Sequence, residues 1–508
     1  MPKKRPACQI HKKYDWIECA IPALPGDPEG LCILHSHDPD KNTFAFRTAI
    51  LQIWNREDSE YHDFRGVYFP VRFDPDEFFG SREFSKPTDF SGATFSDQAD
   101  FSGATFSDQA DFSEATFTEP AEFTGTTFRE GADFTGANFM QEAHFVRATF
   151  TADADFTGST FKEGADFSEA TFNVEAAFAW ATFEKWALFY NATFWWAAIF
   201  KEASFEKVAD FSEATFREEA DFSEATFTKL ANFNEAKIAG RLLFEKINPE
   251  KEGEPPPPPF IADFWDLQFQ DQGLLLFQDL SLAQVRFAGT DLRRVEFQHV
   301  AWHRDYRGRQ VIYDEILLMK EKKEKPWFWQ WFRSSYLPWL ALYWPYTRHP
   351  VNPWGDKHAE VERLYRDLQI NYESVNDYKT SGDFHYGEME MYRRPRTWHW
   401  FPLYWYNLYW ALSGYGERPF QALCWLAGLL VLLPLLIWLL GLDISAQGKA
   451  PGFLDTFSYM FEKATFQKPE LKEINDLGKF ISNLGLLIIP GQAALFLLAL
   501  RNRLGRRR

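Results

Sequence analysis

The chain has 508 residues, a formal charge of −18, and 45% hydrophobic with 18% aromatic residues. Such a length calls for several domains, and such an apolar share excludes disorder as the general state. Between Asp89 and Lys237 stand 27 acidic and nine basic residues, so this one segment accounts for the net charge. An acidic surface there keeps β-structure soluble and discourages edge pairing.

Met1 to Lys13 is basic but no apolar run follows it, so no signal peptide is expected and the soluble segments are expected in the cytoplasm. Cys8, Cys19 and Cys32 come next, and His35 follows the last at a Cys-x-x-His spacing. Soft and borderline donors in a segment too small for its own core predict a structural, tetrahedral zinc site within residues 1–40. His11 and His37 are alternative fourth ligands, and three unliganded thiols are the alternative to a metal. An odd number of thiols in a cytosolic segment argues against a disulfide. Over 41–80, Phe44, Phe46, Ile50, Leu51 and Trp54 have helical spacing and predict an amphipathic cap, and Phe64 to Phe73 leads into a long phenylalanine-rich segment.

From Phe90 to Phe233 a phenylalanine recurs at alternating steps of five and six residues, and Ile238 takes the next slot. Two residues before nearly every Phe stands a small residue, as in Ala93, Ala99, Ala104 and Ala110. A helix would scatter this ladder and a long strand would turn alternate rings outward. A coil that turns a corner every five or six residues keeps every ring inside. Four segments then make one square turn, and about 22 residues climb one strand spacing of about 4.8 Å. Self-similarity of this kind marks a solenoid whose units bury their faces on one another. With each Phe giving about 2 kcal/mol of apolar transfer, the rod is stiff.

Ala99-Asp100-Phe101-Ser102-Gly103 and Ala165-Asp166-Phe167-Ser168-Glu169 resemble pentapeptide repeats, in the eleven-residue style of that family. The resemblance implies a right-handed quadrilateral β-helix over 81–248. Pro255 to Pro259 cannot donate ladder hydrogen bonds and makes 249–262 a loop. Phe264, Phe269, Phe277, Leu282, Phe287, Leu292, Phe297 and Trp302 resume the ladder over 263–305. Where the outward Asp is replaced by Ala177, Leu188 and Ile199, the residues Trp180, Trp186, Tyr190, Trp195 and Trp196 cluster in sequence. Such a density of aromatics predicts a contact surface, either for the chain's own later helices or for another subunit or protein partner.

Residues 306–417 read as an aromatic-rich helical connecting domain. Val361, Leu364, Tyr365, Leu368, Tyr372 and Val375 share a helical face, and Tyr378 to Arg394 predicts a second helix returning along it. The aromatic clusters Trp327 to Tyr346 and Trp398 to Trp410, interrupted by Arg333, Arg348 and Arg396, suit the headgroup level of a bilayer. Phe420 to Leu442 and Phe480 to Leu500 are uncharged and long enough to span, defining transmembrane helices within 418–442 and over 480–500. Arg393, Arg394, Arg396 and Arg418 precede the first, and Arg501, Arg503 and Arg506 to Arg508 (tail 501–508) follow the second. The positive-inside rule therefore places both termini in the cytoplasm, against the weaker pull of the loop lysines. Between them, 443–479 contains Phe453 to Phe461, too short to span and a candidate re-entrant pore helix. Pro434 and Pro490-Gly491 are expected to kink the spans.

Cys32-Ile33-Leu34-His35, the segment Gly382 to Met391, Gly414-Tyr415-Gly416-Glu417-Arg418-Pro419 and Ala464 to Pro469 resemble stretches of membrane-linked pentapeptide proteins with a carboxy-terminal ion-channel-like region. That resemblance implies an oligomeric, channel-like or pore protein in a plasma or bacterial inner membrane, whose solenoid senses or binds a partner. The chain departs from potassium channels, because no stacked-carbonyl filter sequence follows Phe461. Glu462, Thr465, Asn483 and Gln492 are the candidate pore or loop residues, with helix-packing hydrogen bonds as the alternative role. A non-conducting membrane scaffold is the second reading. A DNA-mimicking topoisomerase inhibitor, which the family also contains, is the third; the membrane segments argue against nucleic acid as partner. His303-Arg304-Asp305 has a kinase-like order, but Gln310 stands where an Asn is needed, and no phosphate loop or Ser/His/Asp set accompanies it. No enzyme activity is expected.

Overall fold

A computed structural model describes residues 7–14, 17, 19–250, 256–306, 308–323, 355–394, 405–439, 452–465, 467 and 476–502. The Trp327 to Tyr346 cluster, Trp398 to Tyr404 and the arginines beyond Asn502 lie outside them. The chain divides into two compact units, Met1–His303 with Ile312–Asp314, and Arg304–Val311 with Glu315–Arg508.

In the first unit, short strands, most of them two residues long, assemble into four wholly parallel sheets of 11, nine, nine and eight strands. Between Thr88 and Leu242 each sheet takes every 22nd residue, so Ala99 pairs with Ala121 and Ala121 with Ala143. This is the solenoid the spacing demands. Rings in successive turns lie face to face, as with Phe123 and Phe145 at 4.7 Å and 0°. Rings from different sheets meet edge to face across the bore, as with Phe134 and Phe145 at 5.4 Å and 90°. Both arrangements suit the ring quadrupole. The small slots hold alanine, or a hydroxyl that finds a carbonyl: Thr126 donates to Phe101 O at 2.7 Å and Ser159 to Phe156 O at 2.7 Å.

The alternation of five and six has a backbone cause. The five-residue corner is tight, and its third position is left-handed: Gly103, Glu114, Gly125, Gly136, Arg147, Gly158 and Glu169 all have φ near +55 to +65°. The sixth residue lets the other corner turn without this. The aspartate two residues before each hydroxyl caps the tight corner, Asp111 Oδ1 accepting from Ser113 N at 2.8 Å and Ser113 Oγ at 2.6 Å. A non-glycine residue pays about 1 kcal/mol in the left-handed region. Glu114→Gly, at an exposed corner, is therefore expected to raise the denaturation midpoint, a gain of up to about 1 kcal/mol offset in part by unfolded-chain entropy. A fall in the midpoint would contradict this account of the corner.

The coils begin before the strict spacing does. His62 pairs with Thr88 and Tyr68 with Thr94, and Phe64, Phe69 and Phe73 fill the bore. Helix α2 (Pro75–Phe79) interrupts this opening turn. Helix α1 (Thr43–Trp54) covers the open end, burying Phe46 and Ile50 and stacking Trp54 on Phe79 at 4.0 Å. Phe44 and Leu51, expected on that face, are exposed. Across the proline excursion, Asn248 Nδ2 donates to Phe227 O and to Pro258 O, tying the described end of the loop to the coil. At the far end, the buried Asp314 carboxylate accepts from Phe287 N and Ala288 N, and burial raises it to about 6.

In the second unit, α4 (Gly355–Ser374) and α5 (Tyr378–Arg393) form the expected hairpin, with Val361, Leu364, Tyr365, Leu368 and Tyr372 buried. Val375 lies past the helix end and is exposed. Helix α3 (Tyr313–Lys323) precedes the hairpin, and α6 (Trp405–Ser413), α7 (Pro419–Leu439), α8 (Phe453–Ala464) and α9 (Asp476–Leu500) follow it. Two helices are long and apolar enough to cross a membrane, Pro419–Leu439 and Lys479–Leu500 within α9. Tyr459, Met460 and Ala464 of α8 pack on Leu433 and Ile437 of α7 and Ile489 of α9.

Candidate metal centre and the other candidate sites

Three chain segments bring the amino-terminal ligands together. Cys8 enters on a short antiparallel bridge, Ala7 to Pro22; Cys19 lies before the returning segment; Cys32 opens a turn in which His35 N donates back to Cys32 O. The four ligand atoms all lie within 4.8 Å of one another. Cys8 Sγ is 3.4 Å and Cys32 Sγ 3.3 Å from His35 Nδ1, and Cys19 Sγ is 3.8 Å from Cys32 Sγ. Ligand bonds of about 2.0 to 2.3 Å in a tetrahedron give edges of about this length. His35 Nε2 meets Arg65 O at 3.1 Å, which directs the other ring nitrogen, Nδ1, toward the sulfurs with its lone pair. Cys32 N donates to Cys8 Sγ at 3.3 Å.

Hydrogen bonds from Cys19 and Cys32 hold the Cys8 thiol far below its ordinary value, and those of Cys32 and Cys8 push Cys19 up. Cys8, Cys19, Cys32 and His35 could hold a metal ion. His37, one alternative fourth ligand, instead faces Lys13 Nζ at 3.3 Å and lies against the Tyr68 ring. Beside the cluster, Lys41 is buried and donates to Leu34 O, Ser36 O and Tyr68 O, bracing the cap against the first coil.

The aromatic surface residues do not share one face. A 22-residue coil carries sequence neighbours around its whole circumference, so Trp180, Trp186, Tyr190 and the Trp195-Trp196 pair stand at four successive corners. Ala177 and Ile199 belong to one sheet and Leu188 to another, two steps around the turn. The result is a belt. Trp180 and Trp196 are each 58% exposed, whereas Trp195 carries the Arg217 guanidinium on its ring at 3.9 Å and Tyr190 donates to Glu213 at 3.0 Å. The Trp186 ring lies directly over Gly164, where a Cβ has no room.

Of the four pore or loop candidates, Glu462 and Thr465 meet at the end of α8, and Asn483 and Gln492 lie on α9. Glu462 accepts from Ser458 of its own helix, and Thr465 Oγ1 donates to Phe461 O and Glu462 O. Gln492 is buried and donates to Leu412 O at 3.0 Å and Ala422 O at 2.9 Å, fastening α9 to the α6–α7 corner. Asn483 alone of the four is an exposed polar group on α9.

A polar cluster in the helical unit joins two of the stretches singled out in the sequence, Gly382 to Met391 and Gly414 to Pro419. Buried Glu390 accepts from Arg393 Nη2 at 3.0 Å, Arg394 Nε at 2.9 Å and Tyr415 OH at 2.9 Å. Burial alone would raise this carboxyl, but Arg393 and Arg394 hold it below the usual range, while burial and the Glu390 charge push Tyr415 up. Gly414, Tyr415 and Gly416 all have positive φ and form the corner between α6 and α7. The segment Gly382 to Met391 is glycine-bearing for contact reasons: a Cβ at Gly382 would lie 2.5 Å from Glu417 Oε2, and one at Gly387 2.6 Å from the Tyr365 ring. Tyr365 is itself held by its hydroxyl on Glu315. Gly387→Ala is expected to cost about 1–3 kcal/mol through overpacking, read as a drop in thermal midpoint.

Residues 79–127, 112–160 and 189–237 match the family described as pentapeptide repeats (9 copies). No characterised protein matched the chain. No solved structure matched it either.

Proposed function

We propose that this pentapeptide-repeat protein is a membrane-anchored docking scaffold: a stiff acidic solenoid, closed by a zinc-stapled cap, held to a membrane by α7 and α9. The observation that carries this reading is how the second unit uses its polar side chains. Gln492 gives its amide hydrogens to two carbonyls of the α6–α7 corner, leaving its own Oε1 buried without a partner, and Tyr459 and Ser482 bond each other at 2.9 Å. A helix set that spends most of its polar groups on its own packing anchors; it leaves few of them to line a path. Zinc is the metal that three cysteines and one histidine at tetrahedral spacing suit best. The solenoid and both termini lie on the cytoplasmic side, by the excess of arginine at both outer ends of the spans. The belt of exposed tryptophans on an otherwise acidic surface is the docking element for a protein partner.

Carbonate extraction of membranes carrying the full chain tests the anchor. The expected result is retention in the pellet, with the solenoid cleaved by protease added from the cytoplasmic side only; release into the supernatant would remove the membrane from the function and return the nucleic-acid decoy.

Exposed Asn483 favours a second reading, an oligomeric pore. An amide on an apolar helix finds its partner on another copy, which drives association by about 1–2 kcal/mol per contact. Under this reading purified protein in liposomes passes ions and Asn483→Leu dissociates the oligomer and stops the flux. A monomer in detergent and tight liposomes leave the scaffold.

A further inference from the structure

One six-residue corner of the solenoid lies just before the ladder Ala121, Ala143, Ala165, Ala187, Ala209 and Ala231, whose pairing stacks the corner residues in columns, one residue per coil. Two positions ahead of these alanines the column reads Glu119, Gln141, Glu163, Lys185, Lys207, Lys229. It is acidic or neutral over its first half and wholly basic over its second. Three of the nine basic residues between Asp89 and Lys237 thus stand in consecutive coils, about 4.8 Å apart, and no other column of that segment has two together. Like charges stacked so closely repel, and nothing in the coil relieves them. Glu119, Lys185, Lys207 and Lys229 are exposed and Glu163 half-buried, and none of the five forms an ion pair among the described residues. The adjoining column adds apolar surface to the same corner: Trp186, half-buried with its ring over Gly164, then Val208, 41% exposed, and Leu230, 37% exposed.

A second solenoid of the same kind repeats its charges at the same pitch. Turned end for end about a two-fold axis between Glu163 and Lys185, a second copy sets Lys185 opposite Glu163, Lys207 opposite Gln141 and Lys229 opposite Glu119, and the symmetry repeats each contact. The two Trp186 side chains then stand on adjacent levels either side of the axis, the position of a central aromatic anchor. Displacement by one coil puts Lys185 against Lys185 or Glu163 against Glu163, and a parallel copy in register puts each charge on its like. A parallel copy offset by three coils matches Lys185 to Glu119 and Lys229 to Glu163, but makes half as many ion pairs. Charge order therefore selects the antiparallel register.

We propose that this corner is the interface of an antiparallel homodimer of the solenoid. Trp180 and Trp196, on other corners, are left for the protein partner. The dimer rests on the register of the coils and not on the membrane anchor, so carbonate extraction tests the anchor separately.

The test uses the full chain in detergent, as a mixture of ordinary and isotope-labelled copies, treated with a carbodiimide that joins lysine to carboxylate without a spacer and read by peptide mass spectrometry. The expected product joins Lys229 of one copy to Glu119 of another; within one chain these residues are five coils, about 24 Å, apart and out of reach. Lys185→Glu, Lys207→Glu and Lys229→Glu together should weaken dimerisation at least about tenfold in sedimentation, at unchanged thermal midpoint, and adding Glu119→Lys and Glu163→Lys should restore it. A monomer, a dimer without the Lys229–Glu119 product, or a dimer indifferent to the lysine substitutions overturns the proposal. A Lys185–Glu119 product between copies in place of the expected one marks the parallel offset and overturns it too. Wild-type binding to phosphatidylglycerol vesicles that the triple variant loses, with no dimer formed, assigns the lysines to a lipid surface and likewise overturns it. Should the variant unfold, the wild-type product decides: its presence supports the dimer and its absence overturns it. Asn483→Leu should leave the product intact, and its loss there would place the association in the membrane helices and overturn the proposal.

Discussion

Phe156→Ala is expected to cost about 3–5 kcal/mol, the loss for deleting a fully buried aromatic ring where the surroundings cannot collapse. Phe156 is fully buried, stacks on Phe134 and Phe178 at 4.8 Å each and meets Phe145 and Phe167 edge to face at 5.3 Å. Its neighbours are held by two sheet ladders and cannot close on the cavity. Because each coil contacts only the coils beside it, the loss falls on the junction between adjacent turns. Amide exchange should accelerate between about residues 134 and 178 and stay slow near Phe233. Phe297, half-buried and 6.0 Å from its parallel neighbour Phe277, is the control and should cost less. A penalty for Phe156→Ala below about 1 kcal/mol would mean that the ladder hydrogen bonds, and not the ring column, hold the coils together.

Removing the metal is expected to unfold the cap and leave the rod. Structural zinc contributes about 10–16 kcal/mol of apparent binding free energy in peptides too small to fold alone, and the first 40 residues are such a segment. Cys32→Ser removes a thiol that touches His35 and lies 3.8 Å from Cys19. The wild-type chain should carry about one zinc, the variant should carry none, and limited proteolysis should clip the variant before His62 while coils 90–233 survive. Cys424→Ser, at an exposed thiol on α7, should keep the metal. Zinc retained by Cys32→Ser, or no metal in the wild type, removes the cluster's assigned role.

The solenoid was legible because its signal repeats: one ring in each segment, small residues two positions earlier, and an acidic surface. What fills the left-handed corner was less so. Glycine advertises such a corner, but Glu169, Trp180 and Asn191 occupy it as well, held there by the ladders on either side. The candidate metal ligands follow from residue type and spacing, His35 being preferred to His37 by its Cys-x-x-His step from Cys32, whereas the contact of its second ring nitrogen with Arg65 O is visible only in the fold. Proximity in sequence misled for the tryptophans, since on a coil of 22 residues neighbours separate onto different sides. Gln492 and Glu390 show the other limit, because their partners lie 70 to 80 and up to 25 residues away, and no local period reports them.

The exact 22-residue pairing makes the rod extensible in whole steps. Ala121 stacks on Ala143 and Phe123 on Phe145, each pair alike in kind. Excising residues 123–144 would join Glu122 to Phe145 and leave both end caps their original neighbours in kind, shortening the column by about 4.8 Å. A deletion of eleven would also keep like residues stacked, but it would seat each later strand on the sheet across the bore and so turn everything beyond it by half a coil. Duplication or loss of whole turns is thus a ready route for adjusting this molecule's reach without redesigning either terminus.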